Sequence, residues 1–290
     1  MRKVFSETIY KFLHKDKKIV VLLGDIGVYS FSKVNKKFNK NIFNIGILEQ
    51  TMVGVAAGMA INGKIPFVHT ISPFVINRAF EQIKVDICYQ NLNVNIVTVG
   101  SSVDYAALGC THHCPEDIAI INKLPNIKIY YPGNQNEFKK LLLNYKENSP
   151  KYYRLSNDSH KLNIKIYKNK ASIIKKGKKA TVVVFGASIT LIEDIINEID
   201  ATILYYTTLK PFDKNTLRKN LKNNKVILIQ DFYNGSLTYE INESINNSHL
   251  YEIGIPNKFR TNYGNKELHL KKLNLDKISI LKRIKKIIDE

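Results

Sequence analysis

The sequence predicts an α/β protein with two three-layer α/β/α domains whose sheets are mostly parallel. The first observation is that short β-rich runs alternate with segments of helical length, which is typical of parallel strands joined by crossover helices. The second is a single interruption, the polar and lysine-rich stretch 156–179, after which the alternation resumes. The 290 residues are long enough for two domains of ordinary size. We therefore expect domains at 1–160 and 179–290, joined by a linker at 161–178.

The elements of the first domain follow from the spacing of its apolar residues. Apolar, β-rich runs predict four strands, at 18–23, 65–69, 93–99 and 126–131. Helical length and spacing predict helices at 49–62 and 74–90, and the small residues of the former indicate close packing against a neighbour. Pro115, followed by Glu116 and Asp117, favours a further helix start, because proline suits the first turn and acids suit the positive end of the dipole.

The second domain repeats the alternation on a smaller scale. Its apolar runs predict strands at 180–185, 201–206, 225–230 and 249–253. Helices are expected at 188–198 and 236–246, and the last ten residues have the spacing of an amphipathic helix. The linker between the domains has room for a short hairpin.

Composition restricts the class of protein. A hydrophobic content of 44% with 10% aromatic residues is that of a globular chain, because disordered chains have far fewer core-forming residues. The first residues carry charges throughout, and no stretch approaches the roughly 20 apolar residues that cross a bilayer. Three cysteines, an odd number, argue against a disulfide framework. These features predict a soluble, cytoplasmic protein.

The formal net charge of +19 raises the question of nucleic-acid binding, since Lys and Arg displace counterions from phosphates. The lysines are spread along the chain rather than clustered, and no helix-turn-helix, zinc-finger or RNP pattern is present in the sequence. We therefore expect no nucleic-acid partner and no membrane partner. The charge excess remains able to steer an anionic substrate or an acidic subunit.

Three segments carry the candidate chemistry: NIGILEQTMVGVAAG at 44–58, FVHTISPFVINRAFEQIKVD at 67–86 and GCTHHCPED at 109–117. Together they resemble the pyrimidine-binding domain shared by transketolases and deoxyxylulose-phosphate synthases. Further short motifs match the C-terminal domain of the same family in kind and order, namely LKPFD at 209–213, QD at 230–231 and GIP at 254–256. The resemblance extends from about residue 3 to residue 285. It implies a thiamine diphosphate-binding, pyrimidine-type domain followed by a transketolase C-terminal domain.

Glu49 begins the small-residue helix of the first segment. The resemblance assigns it to the activation of thiamine diphosphate, whose thiazolium C2 reacts only after losing a proton to the cofactor's own amino group. A carboxyl group bonded to the opposite ring nitrogen promotes that loss, and burial keeps a proton available on such a group. By position alone, a glutamate in a first helical turn is also explained by the helix dipole. Within the three segments together, we expect Glu49 to be catalytic and to contact the cofactor.

The second segment is expected to form the pocket for the aminopyrimidine ring. Phe74 matches the phenylalanine that stacks on this ring in the family, although an aromatic residue one turn into a helix also suits a core. Ile71 and Asn77 match positions where many transketolases have further aromatic residues, so the predicted pocket is trimmed. Asp25 and Ile26 follow the first strand and match cofactor-contacting residues, at the sheet edge where α/β proteins bind ligands.

The third segment contains Thr111-His112-His113. His112 matches a family histidine beside the thiazolium and the substrate hydroxyls, where an imidazole can transfer protons as a sugar carbonyl becomes an alcohol. We expect His112 to be catalytic, and His112 and His113 to bind substrate. A histidine pair in a loop also serves local hydrogen bonding, and the spacing of Cys110 and Cys114 is compatible with zinc. Without a second cysteine pair in the sequence, we predict no metal ligand.

Three positions depart from the family pattern. Many transketolases have a histidine near Gly100, an aspartate near Leu108 and a phosphate-binding arginine near Asn157. Arginine grips a phosphate through two parallel bonds, and asparagine cannot replace that charge. Arg154 is the nearest strand-end cation, so we expect it to bind substrate. The departures leave the sugar substrate open, whether phosphorylated, nucleotide-linked or otherwise modified.

The resemblance also indicates that half of the cofactor site is supplied by another chain. The diphosphate-binding domain of the family, with its GDG motif and downstream Asn, precedes the pyrimidine-binding domain, and Gly24-Asp25-Ile26-Gly27 lacks the GDG spacing. We therefore expect a partner subunit that holds the diphosphate and Mg²⁺. Like domains would pair in an α2β2 assembly, with thiamine diphosphate shared at the subunit interface.

The expected function is that of the C-terminal subunit of a split transketolase. It would transfer a two-carbon ketol unit from a ketose donor to an aldehyde acceptor. The β subunit of a 2-oxoacid dehydrogenase has the same two-domain plan and is one alternative. A non-catalytic subunit that keeps the fold is another.

Overall fold

The computed structural model describes residues 1–245 and 248–290. In its first part, helices and strands alternate in the order α1 (Arg2–Lys15), β1 (Ile19–Leu23), α2 (Val28–Lys37), β2 (Ile42–Asn44), α3 (Glu49–Ile61), β3 (Ile65–Ile71), α4 (Ser72–Arg78), α5 (Phe80–Gln82), β4 (Asn95–Val99), α6 (Asp117–Ile121), β5 (Lys128–Tyr130), α7 (Gln135–Leu142) and β6 (Lys151–Arg154). A π-helical segment, Ile83–Tyr89, continues α5, and short 3₁₀ turns occupy Ala106–Leu108 and Leu143–Lys146.

The second part is smaller. Its elements are β7 (Ser172–Lys175), β8 (Ala180–Phe185), β9 (Ala201–Tyr206), β10 (Thr208–Lys210), α8 (Lys214–Lys219), β11 (Lys225–Tyr233), α9 (Thr238–Ile245), β12 (His249–Ile255), α10 (Lys266–Lys272) and α11 (Lys277–Asp289). The segments Gly186–Leu191 and Ile196–Glu198 are 3₁₀ turns.

The larger sheet has the strand order β10-β5-β6-β4-β3-β1-β2, and every pairing except that of β10 with β5 is parallel. The smaller sheet has the order β12-β11-β8-β9-β7, and only β7 is antiparallel to its neighbour. Strands β1 and β8 are buried along their whole length, which is typical of parallel sheets covered on both faces. The predicted fold class is confirmed.

Most predicted elements lie within a few residues of the observed ones, but three predictions differ in part from the structure. The predicted helix 74–90 is broken at Ala79 into α4, α5 and the π-helical segment. The predicted linker 161–178 contains β7, which joins the smaller sheet. The predicted helix 236–246 is present as α9, and its last position lies outside the described residues.

The predicted helix 188–198 is absent, and two 3₁₀ turns take its place. Tertiary contacts explain this difference. Gly186 has φ +42° and packs against Tyr131, whose carbonyl oxygen would lie 2.3 Å from a Cβ at that position. The Ser188 hydroxyl donates to Asp231 Oδ1 at 2.8 Å. These contacts hold the backbone away from an α-helical course.

The two parts share one continuous core. Buried apolar residues of the larger sheet, such as Val68 and Ile129, belong to the same cluster as Val183 and Leu228 of the smaller sheet. Strand β10 leaves the smaller domain to extend the larger sheet. Within the described residues, no helix has both the length and the apolar character needed to cross a bilayer.

Candidate functional site

Several of the predicted site residues lie where three neighbouring strands end. Strands β1, β3 and β4 are adjacent and parallel, so their carboxyl ends meet at one edge of the larger sheet. Asp25 and Ile26 follow β1, Phe74 lies just after β3, and Gly100 follows β4. Parallel α/β sheets bind ligands at this edge, because loops rather than continuing strands occupy it.

Glu49 is the first residue of α3, and its side chain is only 2% exposed. Its Oε2 accepts a hydrogen bond from Arg78 Nη1 at 3.2 Å, whereas its Oε1 is buried and has no hydrogen-bond partner. A buried carboxylate oxygen without a donor is costly, so such an atom points to a missing partner. Arg78, at 48% exposure, is a site residue that the sequence patterns did not predict.

Phe74 connects Glu49 to the histidine turn. The Arg78 guanidinium lies 4.2 Å from the centroid of the Phe74 ring, a cation–π contact. The Phe74 ring also meets the His112 imidazole edge-to-face, with 5.1 Å between centroids. The Phe74 ring is half-buried, so part of its surface is exposed. Glu49, Arg78, Phe74 and His112 therefore form one contiguous arrangement.

The loop after β1 rests on a buried histidine. A Cβ at Gly27, whose φ is +79°, would lie 2.8 Å from Cδ2 of His69. His69 Nδ1 lies 2.8 Å from the Val97 carbonyl oxygen, its Nε2 has no partner, and burial lowers the pKa of His69 to about 4. This neutral imidazole supports the loop that carries Asp25 and Ile26.

The remaining residues predicted to contact the cofactor are engaged in contacts within the protein or buried. Asp25 exchanges two hydrogen bonds with Asn44, through its backbone amide at 3.0 Å and its Oδ1 at 3.1 Å. Ile71 is buried at the end of β3. The Asn77 amide donates to Glu116 Oε1 at 3.0 Å, and this bond ties α4 to the start of α6. Asn77 thus has a structural bond where the family pattern has an aromatic residue.

Tyr105 fills the space left by Gly100. A Cβ at Gly100 would lie 2.1 Å from Tyr105 Cε2, and the Tyr105 ring is 6.0 Å from that of His112. Arg2 Nη2 donates to the Tyr105 hydroxyl at 2.5 Å. Burial raises the pKa of the Tyr105 phenol, with Arg2 acting in the opposite direction, so the hydroxyl remains protonated. No local pattern in the sequence marks this pair, because its members are 103 positions apart.

The charge of Arg2 is not neutralised by a neighbour. Among the residues that the structure describes, no carboxylate oxygen lies within 4.0 Å of its guanidinium nitrogens. The adjacent loop is held by Asp104, which accepts from the Asn157 backbone amide at 2.8 Å and pairs with Lys266 at 2.5 Å. Arg2 of α1 thus places a cation beside the loop that Asp104 ties to Asn157.

The turn that carries His112 is supported by the second domain. Gly109 has φ +74°, and a Cβ there would lie 2.6 Å from Tyr263 Cε1. His112 Nδ1 lies 2.9 Å from the Thr111 hydroxyl oxygen. His113 is buried and packs on His269 of α10 with 5.1 Å between ring centroids. The structure thus brings His112, but not His113, against Phe74.

The prediction that Arg154 binds substrate was wrong. Its side chain is fully buried, with Nε 2.8 Å from Asp117 Oδ2 and Nη1 2.9 Å from Asp231 Oδ1. The guanidinium also lies over the Tyr131 ring at 4.4 Å. Carboxylates from the two domains pair with Nε and Nη1, while Nη2 is buried without a partner. With a fully buried side chain, Arg154 joins the domains and does not face an open ligand site. Its position at the end of β6 suggested an exposed cation, but that position does not reveal what covers the strand.

Taken together, the site offers a buried carboxylate oxygen, an aromatic face and an imidazole in contact, with a phenol and a guanidinium beyond them. The carboxyl group can bond a ring nitrogen, and the aromatic face can stack on a heterocycle. The imidazole can move a proton, and the phenol and guanidinium can donate to an anion. These properties fit the aminopyrimidine half of a cofactor and a substrate with an anionic end.

Comparisons with known proteins agree with this geometry. Residues 1–159 match the family model of the transketolase pyrimidine binding domain. A putative transketolase C-terminal section of Methanocaldococcus jannaschii is 31% identical, over 98% of this chain and 95% of its own. One of the subunits of the apulose-4-phosphate transketolase of Actinobacillus succinogenes is 31% identical, over 71% of each chain. A solved split-gene transketolase, described as an inactive β4 tetramer, superposes with a TM-score of 0.84 at 26% identity, covering 99% of this chain and 97% of that one.

Proposed function

The chain belongs to the transketolase family, and from that premise we propose that it is the subunit of a split transketolase that binds the aminopyrimidine half of thiamine diphosphate. The reaction is the transfer of a two-carbon ketol unit from a ketose to an aldehyde. The observation that carries the proposal is the buried, unpartnered Oε1 of Glu49 beside Phe74 and His112.

Each residue of the site has a role in this reaction. When bound, thiamine diphosphate supplies the carbon nucleophile that attacks the ketose carbonyl. The Glu49 carboxyl would bond the pyrimidine ring and hold a proton at its Oε1, and Phe74 would stack on the ring. Asp25, Ile26 and Ile71 border the same sheet edge and would complete the pocket. His112 moves a proton to or from the sugar hydroxyls.

The substrate class follows from the cation at the far side of His112. Arg2 and Tyr105 present a guanidinium and a neutral hydroxyl that together suit a phosphate group. The apulose-4-phosphate enzyme acts on a phosphorylated sugar, and this chain is similar to one of its subunits. We therefore expect this chain to act on a ketose or aldose with an anionic group at the end remote from the reacting carbonyl.

The diphosphate and its Mg²⁺ would be held mainly by a partner subunit with a GDG…N motif. The similarity to one subunit of the apulose-4-phosphate enzyme and to a split-gene protein supports this division. Like subunits would pair in an α2β2 assembly with the cofactor at the interface between unlike subunits.

The function is tested by coexpressing the chain with a candidate partner subunit that carries a GDG…N motif. The purified pair should bind thiamine diphosphate with Mg²⁺ and transfer ketol units within a panel of sugar phosphates, whereas either subunit alone should be inactive. Turnover by the isolated chain would contradict the need for a partner. Decarboxylation of pyruvate without ketose cleavage would instead identify a 2-oxoacid dehydrogenase subunit.

Replacing Arg2 with Leu should raise the KM of the pair for phosphorylated sugars by about tenfold to a hundredfold, because a charge-assisted hydrogen bond is lost. The KM for the corresponding unphosphorylated sugars should not change. The matched control is Lys3→Leu, which removes the same charge from an exposed position one residue away. Equal effects of Arg2→Leu on both sugar classes would show that Arg2 does not recognise the phosphate.

A further inference from the structure

A cavity lies beside the histidine turn, between the two domains. Its volume is ≈ 350 Å³, and it is lined by His113 and Glu116 from the first domain and by Tyr233 and the loop Asn257–Arg260 from the second. None of the residues that contact Phe74 in the proposed active site lines it. The proposed function makes no use of this cavity.

A chain of hydrogen bonds leads from Arg260, which lines the cavity, to His269, which does not. Arg260 Nη2 donates to Asn262 Oδ1 at 3.1 Å, and Asn262 Nδ2 donates to His269 Nε2 at 3.3 Å. Because His269 Nε2 accepts, its Nδ1 carries the proton of the neutral ring. The His269 ring packs edge-to-face on His113, which lines the cavity. These contacts fix the orientation of three nitrogen-containing side chains at one place.

Three buried nitrogen atoms in this cluster lack hydrogen-bond partners. They are Nε of Arg260, Nδ1 of His269 and Nδ1 of His113. The side chain of His269 is fully buried, and that of His113 is 5% exposed. Buried polar atoms are nearly always bonded. His113 and Arg260, which carry two of these nitrogens, line the cavity, so a ligand bound there would supply the missing partners.

The charge of the cluster selects the kind of ligand. Over residues 1–245 and 248–290, neither Lys258 nor Arg260 has a carboxylate oxygen within 4.0 Å. Burial lowers the pKa of His113, and the Arg260 guanidinium lowers it further although the Ala106 carbonyl opposes this. Among the described residues that line the cavity, the two cations Lys258 and Arg260 outnumber the single carboxylate of Glu116. The local field is therefore positive and favours an anion.

We propose that this cavity is a binding site for a phosphate group, distinct from the substrate phosphate contact at Arg2. Arg260 Nε and the Lys258 ammonium supply charged donors, and the planar guanidinium suits the tetrahedral oxygens of phosphate. His113 becomes a second donor at Nδ1 once a negative charge favours its protonation. The ligand is inorganic phosphate or a small phosphorylated metabolite, since the cavity volume allows a few additional carbons. A phosphate bound in this cavity would contact His113, which is adjacent in sequence to His112, and so would influence the turn that carries His112.

The test uses the full-length chain alone, labelled with ¹³C-histidine, and titrates it with sodium phosphate at constant ionic strength. The chain has seven histidines, so the ring Cε1–H signals are few enough to resolve. His113→Asn and His269→Asn variants assign the two relevant signals. Phosphate should move these two signals in a saturable manner, while sodium chloride should not. Parallel titrations with fructose 6-phosphate and with fructose show whether the site takes free phosphate or a sugar phosphate.

Lys258→Gln and Arg260→Gln should each weaken phosphate binding about tenfold or more, because each removes a charged donor. The control Arg218→Gln removes an exposed guanidinium from α8 and should bind as the wild type does. The response should persist in the Arg2→Leu chain, which isolates this cavity from the substrate contact. Absence of saturable shifts at His113 and His269 in the wild type would overturn the proposal, as would wild-type affinity in Arg260→Gln. Because the titration needs no partner, cofactor or turnover, either result leaves the proposed transketolase function to its own test.

Discussion

Replacing Glu49 with Gln should lower kcat of the assembled enzyme by roughly 10²–10⁴-fold, the range over which a positioned acid–base group contributes. Glutamine has the same shape and keeps an oxygen that can accept from Arg78, so the local packing survives. It cannot ionise, and it cannot hold and release a proton at the atom that faces the cofactor. The expected defect is therefore chemical rather than structural.

The measurement compares the Glu49→Gln and wild-type pairs in a ketose-cleavage assay at saturating thiamine diphosphate and Mg²⁺. Size-exclusion chromatography and thermal denaturation establish that the variant assembles normally. The matched control is Glu81→Gln, the same substitution at an exposed position of α5. A Glu49→Gln enzyme within a few-fold of wild-type activity would remove Glu49 from the mechanism. Loss of assembly together with activity would make it a structural residue.

Arg78 constrains how Glu49 can act. In this structure the Arg78 guanidinium donates a hydrogen bond to Oε2 of Glu49 and lies over the Phe74 ring. It leaves Oε1 as the oxygen without a donor. Arg78 is thus a positioning residue that fixes the carboxylate by one oxygen and keeps the other available for the cofactor. Arg78 also packs on the Phe74 ring, which in turn packs edge-to-face with His112.

The parts of the site that could be predicted are those encoded by short local patterns. Glu49, Phe74 and His112 each lie in a distinctive run of residues, and parallel strands bring the ends of such runs together without further information. Arg2 and Tyr105 could not be predicted in this way, because their contact depends on how α1 crosses the sheet edge. Arg154 was misassigned for the same reason: its partners Asp117 and Asp231 come from distant elements.

The errors in the fold have a related cause. The predicted helix 188–198 has helical spacing, but its backbone follows contacts with Tyr131 and Asp231 of other elements. Strand β7 is short and lies in a polar, lysine-rich stretch whose composition does not favour a strand. It is a strand because it pairs with β9. Strands β1 and β8 were predictable because burial on both faces leaves a continuous apolar signature.

Arg154, which joins the two domains, is the subject of the second prediction with a large expected effect. Replacing Arg154 with Met should lower the free energy of unfolding at neutral pH by about 3–5 kcal/mol, the cost of leaving buried charges without a partner. Methionine keeps much of the side-chain volume but removes the counter-charge of both Asp117 and Asp231. The loss is electrostatic, so it should depend on pH.

The sign of that dependence follows from the fact that Arg154 lowers the pKa of both partners. At Asp117 burial outweighs this effect and the carboxyl pKa is raised, whereas at Asp231 the favourable contacts win. Burial alone would raise the pKa of the Asp231 carboxyl, but Arg154 and Lys266, with the Ser188 and Tyr131 hydroxyls, hold it below its ordinary value. A depressed pKa in the folded state stabilises the protein above the unfolded-state pKa of about 4 and ceases to do so as pH falls through the folded-state value. The stability difference between wild type and Arg154→Met should therefore be largest near neutral pH and shrink in acid.

Urea denaturation of the chain at neutral pH and at about pH 4 measures the loss of stability in Arg154→Met and its dependence on pH. Arg218→Met, an exposed arginine on α8, is the matched control and should change stability by less than about 1 kcal/mol. Adding Asp117→Asn and Asp231→Asn to Arg154→Met removes the stranded charges, so the triple variant should be more stable than the single one at neutral pH. If Arg154→Met unfolds like the control, or the triple variant recovers nothing, the buried charges do not hold the two domains together. If Arg154→Met is destabilised and the triple variant recovers stability, Arg154 holds the two domains together. It then keeps the first domain, which carries His112, against the second domain, which supports the turn of His112.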